Sequence, residues 1–179
     1  MVTVSNALKG IFPDLYRVED QNILQLIERN SCIKAYEKNE AILLRGKIPT
    51  DAAFLCKGVV RFYFSSGKGE EFTDSIIQDF GFPVMTADGD KRPSGMTMEA
   101  VTHVEVLSIP MQTMWQLLNE SMEMLWAYNH ISGIAARFLR YCPRMRKLRI
   151  KMKPLDKSVK SETNYYLFLH ILFALSFLL

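Results

Sequence analysis

The chain of 179 residues is 49% hydrophobic and 23% charged, which fits one globular domain, alone or with a short appendage. This composition excludes a disordered chain, a collagen-like repeat and a disulfide-rich scaffold. The formal net charge is +3, but residues 137–160 carry ten basic side chains and one acidic one, a net charge of +9 that leaves −6 for the rest. Such a segment indicates either an anionic partner or a solvated basic helix face.

Residues 1–31 are predicted to be helical. Ile23, Leu24 and Ile27 follow helical spacing, and Asn30 can end the helix. Pro13 is expected to separate this helix from a short first one. The N-terminus lacks the basic region and apolar core of a signal peptide, which favours a cytoplasmic location.

From residue 32 to residue 110 the pattern has period two and is broken by turn residues. The predicted strands are Ile33–Tyr36, Ala41–Arg45, Ala53–Lys57, Val59–Phe64, Glu71–Ile77, Thr97–Val101 and Val104–Ile109. Short strands without room for crossover helices favour an antiparallel sandwich or roll. Gly58 lies between two apolar runs, where the reversal requires a positive φ angle.

Two helices are predicted after Pro110: a short one over Met111–Leu118 and a long one that begins near Glu120 or Ser121. Apolar residues recur along the long helix at spacings of three and four: Met124, Tyr128, Ile131, Ala135, Phe138 and Cys142. This seam indicates either a dimerisation helix or a helix that packs on its own domain. Pro143 is expected to kink or end the helix.

Four motifs carry a resemblance to a known family. They are KNEAILLRG at residues 38–46, AFLCKGVVRFY at 53–63, SSGKGEE at 65–71 and MEAVTHVEVLSIP at 98–110. They look like an early strand with its glycine turn, a strand–glycine–strand signature, a Gly-Lys-Glu hairpin tip and a closing strand pair. In this order, over roughly residues 15–145, they resemble the effector domain of the Crp/Fnr transcription regulators, built on the cyclic nucleotide-binding fold.

The resemblance implies a mainly β fold with flanking helices. The expected core is an antiparallel double-stranded β-helix, a jelly roll or β-roll of the cyclic nucleotide-binding type, followed by a long C-terminal dimerisation helix. The implied divisions are N-terminal helices at 1–31, the β-roll effector domain at 32–110, helices including the dimerisation helix at 111–145, and a basic segment with a truncated apolar tail at 146–179. The implied dimer interface comprises Met124, Tyr128, Ile131, Ala135 and Phe138.

The segment that binds ligand in this family departs from the usual pattern here. Nucleotide-binding members supply a glycine, a glutamate for the ribose, a helix N-terminus for the phosphate and an Arg-Ala pair that neutralises it. In this sequence Phe82 or Pro83 stands at the glutamate position and Ser94 at the arginine position. Arg92, two residues earlier, is either an anion-binding group or a solvent-facing residue beside acids. The candidate ligand-binding residues are Phe80, Gly81, Phe82, Pro83, Val84, Met85, Arg92, Ser94, Gly95, Met96 and Thr97.

The apolar run within this segment favours an apolar or empty pocket over a phosphate site. We therefore expect cyclic AMP not to bind in the usual way. The effector that the resemblance implies is a small molecule of unknown identity in the roll.

The C-terminal end departs from the family as well. Family regulators continue into a winged helix-turn-helix of about 70 residues, whereas only about 35 residues follow Arg144 here. Residues 164–170 resemble the opening helix of that domain, but 171–179 are apolar without a turn, so we expect a truncated DNA-binding domain. Weak, nonspecific nucleic-acid contacts are expected from Arg144, Arg146, Lys147, Arg149, Lys151 and Lys153. A helix over residues 165–179 rises about 22 Å, short of the roughly 30 Å hydrocarbon core, which favours a buried helix over a membrane anchor.

No enzymatic or metal chemistry is indicated. The three cysteines are odd in number and far apart, and His103, His130 and His170 lack metal-ligand spacing. We expect a non-enzymatic, homodimeric effector-sensing domain of a bacterial Crp/Fnr-type regulator, without a cofactor, in the reducing cytoplasm. The alternatives are a cupin-like small enzyme, whose roll would hold a metal, and a membrane-tethered or structural interaction module, which the apolar tail favours.

Overall fold

The computed structural model describes residues 2–66, 69–85 and 92–141, with side chains up to residue 133. The chain divides into two units, Met1–Ala135 and Ala136–Leu179. Every side-chain contact described below lies in the first unit. The expected nucleic-acid contacts, the apolar tail, Pro143 and the side chains of Ala135 and Phe138 lie outside these described residues.

Helices flank eight strands in chain order. The helices are α1 (Val4–Lys9), a π-helix (Gly10–Leu15), α2 (Gln21–Asn30), α3 (Met111–Glu120) and α4 (Met122–Tyr141). The strands are β1 (Cys32–Tyr36), β2 (Ala41–Leu43), β3 (Asp51–Lys57), β4 (Val60–Ser65), β5 (Glu71–Ile77), β6 (Pro83–Met85), β7 (Thr97–Ala100) and β8 (Val104–Pro110).

The strands form two antiparallel sheets of four, with the orders β1-β8-β3-β6 and β2-β7-β4-β5. The connection from one sheet to the other after almost every strand is the arrangement of a β-roll. The prediction of an antiparallel roll with flanking helices is therefore confirmed. The reversal at Gly58 has a φ of 98°, as the sequence predicts. A Cβ there would meet the carbonyl oxygen of His103.

Strand register shows which side chains face the interior of the roll. In the second sheet Val60 pairs with Ile77 and with Ala100, and all three are at most 1% exposed. The next residue, Arg61, pairs with Ile76, which is 57% exposed. Because side chains alternate along a strand, the even-numbered residues of β4 face inward and Arg61 faces outward.

The main hydrophobic core lies between the first sheet and the helices. Phe54 and Leu107, which pair across β3 and β8, belong to one buried cluster with residues of α1, the π-helix, α2, α3 and α4. In α2 the buried residues are those that the spacing predicts, and the Asp20 side chain caps the helix by accepting from the Asn22 amide at 2.7 Å. The alternate residues of β3, Ala53 and Leu55, therefore face the roll interior.

One expectation about local structure is wrong, and the position of one strand was not predicted. Pro13 does not separate two helices, because it lies inside the π-helix, and the chain instead breaks at Arg17, which has a φ of 61°. The wider π turn accommodates a proline ring that would clash in an α-helix. The apolar run at residues 83–85 is a strand, β6, that was not predicted. It lies at a sheet edge, where a proline removes no needed donor.

Candidate functional site

The candidate ligand segment begins at Phe80, shortly after the end of β5 at Ile77. Gly81 has a φ of 76°, and a Cβ on it would lie 2.5 Å from Leu15 Cδ2. Its N–H donates to the carbonyl of Leu55 at 2.7 Å, and its carbonyl accepts from the buried hydroxyl of Tyr16 at 2.7 Å. Phe80 is 47% exposed, and its ring lies against Gly10. Gly81 and Phe80 therefore contact the N-terminal helical layer.

The first half of the segment ends in three buried residues. Pro83, Val84 and Met85 form β6, and Met85 pairs with Ala53, whose side chain faces the roll interior. Phe82 is half-buried, and its carbonyl accepts from the Leu55 amide at 2.9 Å. The apolar residues of β6 thus continue the wall of the roll. Residues 86–91 lie outside the part that the structure describes.

The second half of the segment returns along the turn after β2. Ser94 pairs with that turn through its backbone: its amide donates to Lys47 and its carbonyl accepts from the Gly46 amide. Its hydroxyl donates to the Met96 carbonyl at 2.7 Å. Because a serine has one O–H, the hydroxyl at the family's arginine position already uses its donor within its own turn.

The other residues in this half are also engaged or covered. Thr97 is 5% exposed, and its hydroxyl accepts from the Arg45 amide at 3.2 Å. Gly95 and Met96 are half-buried. Arg92 is half-buried and has an interaction partner. The structure thus places Ser94–Thr97 together at the start of β7.

Apolar side chains line the inner face of the second sheet. Phe62 pairs with Ser75 on one side and with Met98 on the other, and it is 7% exposed. With Val60 and Ile77 it makes an apolar wall that the sequence-based set of site residues omits. The alternation in the sequence VRFYF was the available signal for it.

A group of three charged residues, Arg61, Glu71 and Glu99, lies on the outer face of the same sheet. Arg61 donates to Glu71 at 2.8 Å and to Glu99 at 3.0 Å, and its guanidinium lies 4.2 Å from the centre of the Tyr63 ring. These contacts pair the cation with two carboxylates on neighbouring strands. Arg61 therefore stabilises the sheet from outside, and it does not face the roll interior.

The predicted seam of α4 is partly buried within the chain. Met124 is 0% and Ile131 1% exposed, and both belong to the same buried cluster as Phe12. Tyr128 is partly buried against that cluster. Among the large apolar residues of α4 whose side chains are described, Met122, 68% exposed, and Trp126, 59% exposed, project outward. Packing on its own domain, one of the two readings of the seam, therefore accounts for Met124 and Ile131.

The described part of the chain lacks two other kinds of site. No three His, Cys, Asp or Glu side chains there form a group suited to a metal ion. None of the helices described is long and apolar enough to cross a membrane. An open groove between α1 and α2, which Leu8, Lys9, Gln21 and Glu28 help to line, lies on the helical layer and not in the roll.

Comparison with known proteins gives one family. Residues 33–121 match the cyclic nucleotide-binding domain family. Comparison with curated protein sequences finds no match. Among solved structures, a cyclic nucleotide-binding domain from Methylobacillus flagellatus superposes with a TM-score of 0.64 at 13% identity, over 86% of this chain and 89% of that one.

Two transcription regulators have the same fold. The sensor domain of the regulator DNR from Pseudomonas aeruginosa superposes with a TM-score of 0.60 at 12% identity, over 85% of this chain and 97% of that one. Catabolite activator protein from Thermus thermophilus superposes with a TM-score of 0.56 at 17% identity, over 79% of this chain and 62% of that one. This chain therefore spans less than two thirds of the latter regulator.

Proposed function

Because residues 33–121 of this chain belong to the cyclic nucleotide-binding domain family, we propose that the chain is the effector-sensing part of a bacterial Crp/Fnr-type transcription regulator. It binds a small molecule in the roll, has no enzymatic activity and works in the cytoplasm. The observation that carries this proposal is the family match on a roll whose inner wall is apolar at Val60, Phe62 and Ile77.

The chemistry of that wall points to an apolar effector. A cyclic phosphate carries a negative charge that must meet a cation and oriented donors when it is buried. Ser94 occupies the arginine position, and its hydroxyl donates to Met96. Pro83, one of the two residues at the glutamate position, is buried in β6 and has no donor. The same surfaces match a ligand that buries hydrocarbon or aromatic area.

A methyl NMR titration tests this proposal. A panel of apolar metabolites and, separately, cyclic nucleotides are added to protein labelled at isoleucine and methionine methyl groups. We expect a saturable shift of Ile77 and Met98, which face inward, with at least one apolar compound, and little change at Ile76, which is 57% exposed on the outer face.

Two variants make the assignment specific. Phe62→Ala alters the inner wall and is expected to change the affinity of the active compound at least about fivefold, because it removes a large buried apolar surface. Ile76→Ala alters the outer face of the neighbouring strand and is expected to leave that affinity unchanged. The proposal is wrong if no compound shifts Ile77, or if the Ile76 variant affects binding as much as the Phe62 variant.

We also propose that the chain forms a homodimer through α4. Since Met124 and Ile131 are buried in their own chain, the contact between copies uses the outward face that begins with Met122 and Trp126. Large apolar side chains this exposed are typical of a surface that another protein covers. Such a dimer places two effector domains in one assembly, as a regulator of a two-fold symmetric operator requires.

The basic stretch at residues 137–160 gives the proposed regulator a weak, nonspecific affinity for DNA. Its net charge of +9 matches the phosphate backbone, which attracts proteins through counterion release without regard to sequence. Base-specific recognition requires a reading element that is presented to a groove.

A further inference from the structure

Residues 16–20, called the joint here, connect the π-helix to α2 and touch two distant parts of the chain. The joint begins with Tyr16 and Arg17, whose φ of 61° is rare for a non-glycine residue. The amide of Tyr16 donates to Ile11 and that of Val18 to Phe12, each at 3.0 Å, so the joint is tied to the preceding helix.

One contact of the joint reaches the candidate ligand segment. The Tyr16 hydroxyl donates to the Gly81 carbonyl at 2.7 Å in a buried setting. The Tyr16 ring is 6.2 Å from that of Phe54 and 6.4 Å, edge-on, from that of His130 in α4. Burial raises the pKa of Tyr16 to about 12, so the phenol remains a donor at neutral pH.

The second contact of the joint reaches the start of α4. The Glu123 carboxylate accepts from the Glu19 amide at 2.6 Å through Oε1 and from the Asp20 amide at 3.3 Å through Oε2. Asp20 in turn caps α2 through its own side chain. One carboxylate of α4 therefore holds two successive amides of the joint.

We propose that the joint couples the ligand segment to α4, with Tyr16 and Glu123 as the positioning residues at its two ends. This inference rests on the proposed effector-sensing function, and it adds the route by which occupancy of the roll reaches α4. A ligand in the roll can shift the equilibrium between two arrangements of the domain only by binding one of them better than the other. Both the segment and α4 contact the joint directly.

The packing around Gly81 explains why movement there reaches the joint. Its N–H donates to the Leu55 carbonyl and its carbonyl accepts from the Tyr16 hydroxyl, each at 2.7 Å, so both backbone groups of Gly81 are held. If the ligand segment shifts, either the bond to Tyr16 breaks or the joint moves with it. A moving joint carries its amides away from Glu123 or draws α4 along, because close-packed elements shift together.

Amide hydrogen exchange measured by NMR tests the coupling without any effector. Glu123→Ala frees the Glu19 and Asp20 amides directly, so the informative readout is the Gly81 amide, which donates to Leu55 and not to Glu123. We expect Glu123→Ala to accelerate exchange at Gly81 at least about threefold. The matched control is Glu120→Ala, which removes an exposed acid that accepts from the Gln116 side chain, and it is expected to leave Gly81 exchange unchanged.

A second variant shows whether the effect passes through Tyr16. Tyr16→Phe removes the hydroxyl that bonds Gly81 and keeps the ring. In that background Glu123→Ala is expected to add no further acceleration at Gly81, a non-additive result that marks coupled residues. Exchange at the Leu107 amide in the centre of β8 monitors global unfolding, so acceleration at Leu107 identifies a variant that destabilises the whole fold.

Two results would overturn the coupling. One is wild-type exchange at Gly81 in Glu123→Ala, and the other is an effect of Glu123→Ala that persists fully in Tyr16→Phe. Since the exchange experiment uses no ligand, its results are separate from the proposed function. If the methyl titration fails but Glu123→Ala still accelerates exchange at Gly81, only the proposed effector binding is refuted. If the methyl titration succeeds but Gly81 exchange in Glu123→Ala stays at the wild-type rate, only the coupling through the joint is refuted.

Discussion

The Ser94 hydroxyl lies 2.7 Å from the Met96 carbonyl, to which it donates. In the nucleotide-binding members that the sequence resembles, this position holds the arginine that neutralises the phosphate. Here the position instead closes a local turn, which is held in place by backbone bonds to Gly46 and Lys47. Ser94 therefore has a structural role, and it supplies no cation to the apolar inner wall of the roll.

The first prediction concerns the reversal at Gly58. Gly58→Ala is expected to lower the free energy of unfolding by at least about 3 kcal/mol, because the left-handed backbone costs about 1–2 kcal/mol and the new Cβ also meets the His103 carbonyl. Gly46→Ala is the matched control: its φ is 82°, but nothing lies within 4 Å of the added Cβ, so only the backbone cost applies. Urea denaturation of both variants checks this, and equal losses would contradict it.

The second prediction concerns pH. The Val2 amide, which donates to Glu105 at 2.7 Å, lowers the pKa of that carboxyl below its ordinary 4.5, and Lys57 and His103 act in the same direction. A lowered folded-state pKa stabilises the protein above the unfolded-state pKa, and this stabilisation disappears as the pH falls through the folded-state value.

Denaturation at pH 7 and at pH 3 measures this effect. Glu105→Gln is expected to be less stable than the wild type at pH 7 and to lose less stability on acidification. Glu28→Gln, at an exposed position of α2, is the control and should follow the wild type. An identical pH dependence in Glu105→Gln and the wild type would show that this bond does not stabilise the fold.

The third prediction separates the two faces of α4. Trp126→Asp is expected to yield a monomer of unchanged stability, because Trp126 is 59% exposed. Ile131→Asp buries an unpaired charge in the helical core and is expected to destabilise each protomer by several kcal/mol. Sedimentation velocity combined with denaturation distinguishes these outcomes, and a Trp126→Asp protein that remains dimeric would refute the proposed interface.

Much of the roll was predictable from the sequence, because period-two alternation is a local signal. The strand Glu71–Ile77 has the predicted bounds, and the positive φ at Gly58 follows from its place between two apolar runs. β6 was missed because Pro83 opens a strand of only three residues at a sheet edge, where local alternation is too short to read.

The relationships at the candidate site were not predictable, since they join residues far apart in sequence. Nothing local to Tyr16 shows that its hydroxyl bonds Gly81, 65 positions away. The seam of α4 gave the right helix, but a repeat of three and four residues is the same whether it packs on a partner or on the protein's own core. The burial of Met124 and Ile131 required the tertiary structure.

The fourth prediction concerns DNA. The chain is expected to bind unrelated duplexes with similar, weak affinity that falls steeply as salt rises, because its basic stretch releases counterions. Replacing Lys151 and Lys153 by glutamine is expected to reduce the logarithmic salt slope by up to about 1.8, or 0.9 for each phosphate that is no longer neutralised, whereas Lys9→Gln in α1 leaves it unchanged. Fluorescence titrations at two salt concentrations measure this, and a tenfold preference for one duplex at the higher salt would contradict it.

The fifth prediction is that cyclic AMP binds very weakly or not at all. Leaving a buried phosphate without its cation costs about 3 kcal/mol, which is upwards of a hundredfold in affinity. Isothermal titration calorimetry of the wild type with cyclic AMP tests the central claim, that this roll senses an effector other than a cyclic nucleotide held through the family's phosphate contacts. The predicted result is no saturable heat up to millimolar nucleotide, and a micromolar dissociation constant would contradict the account.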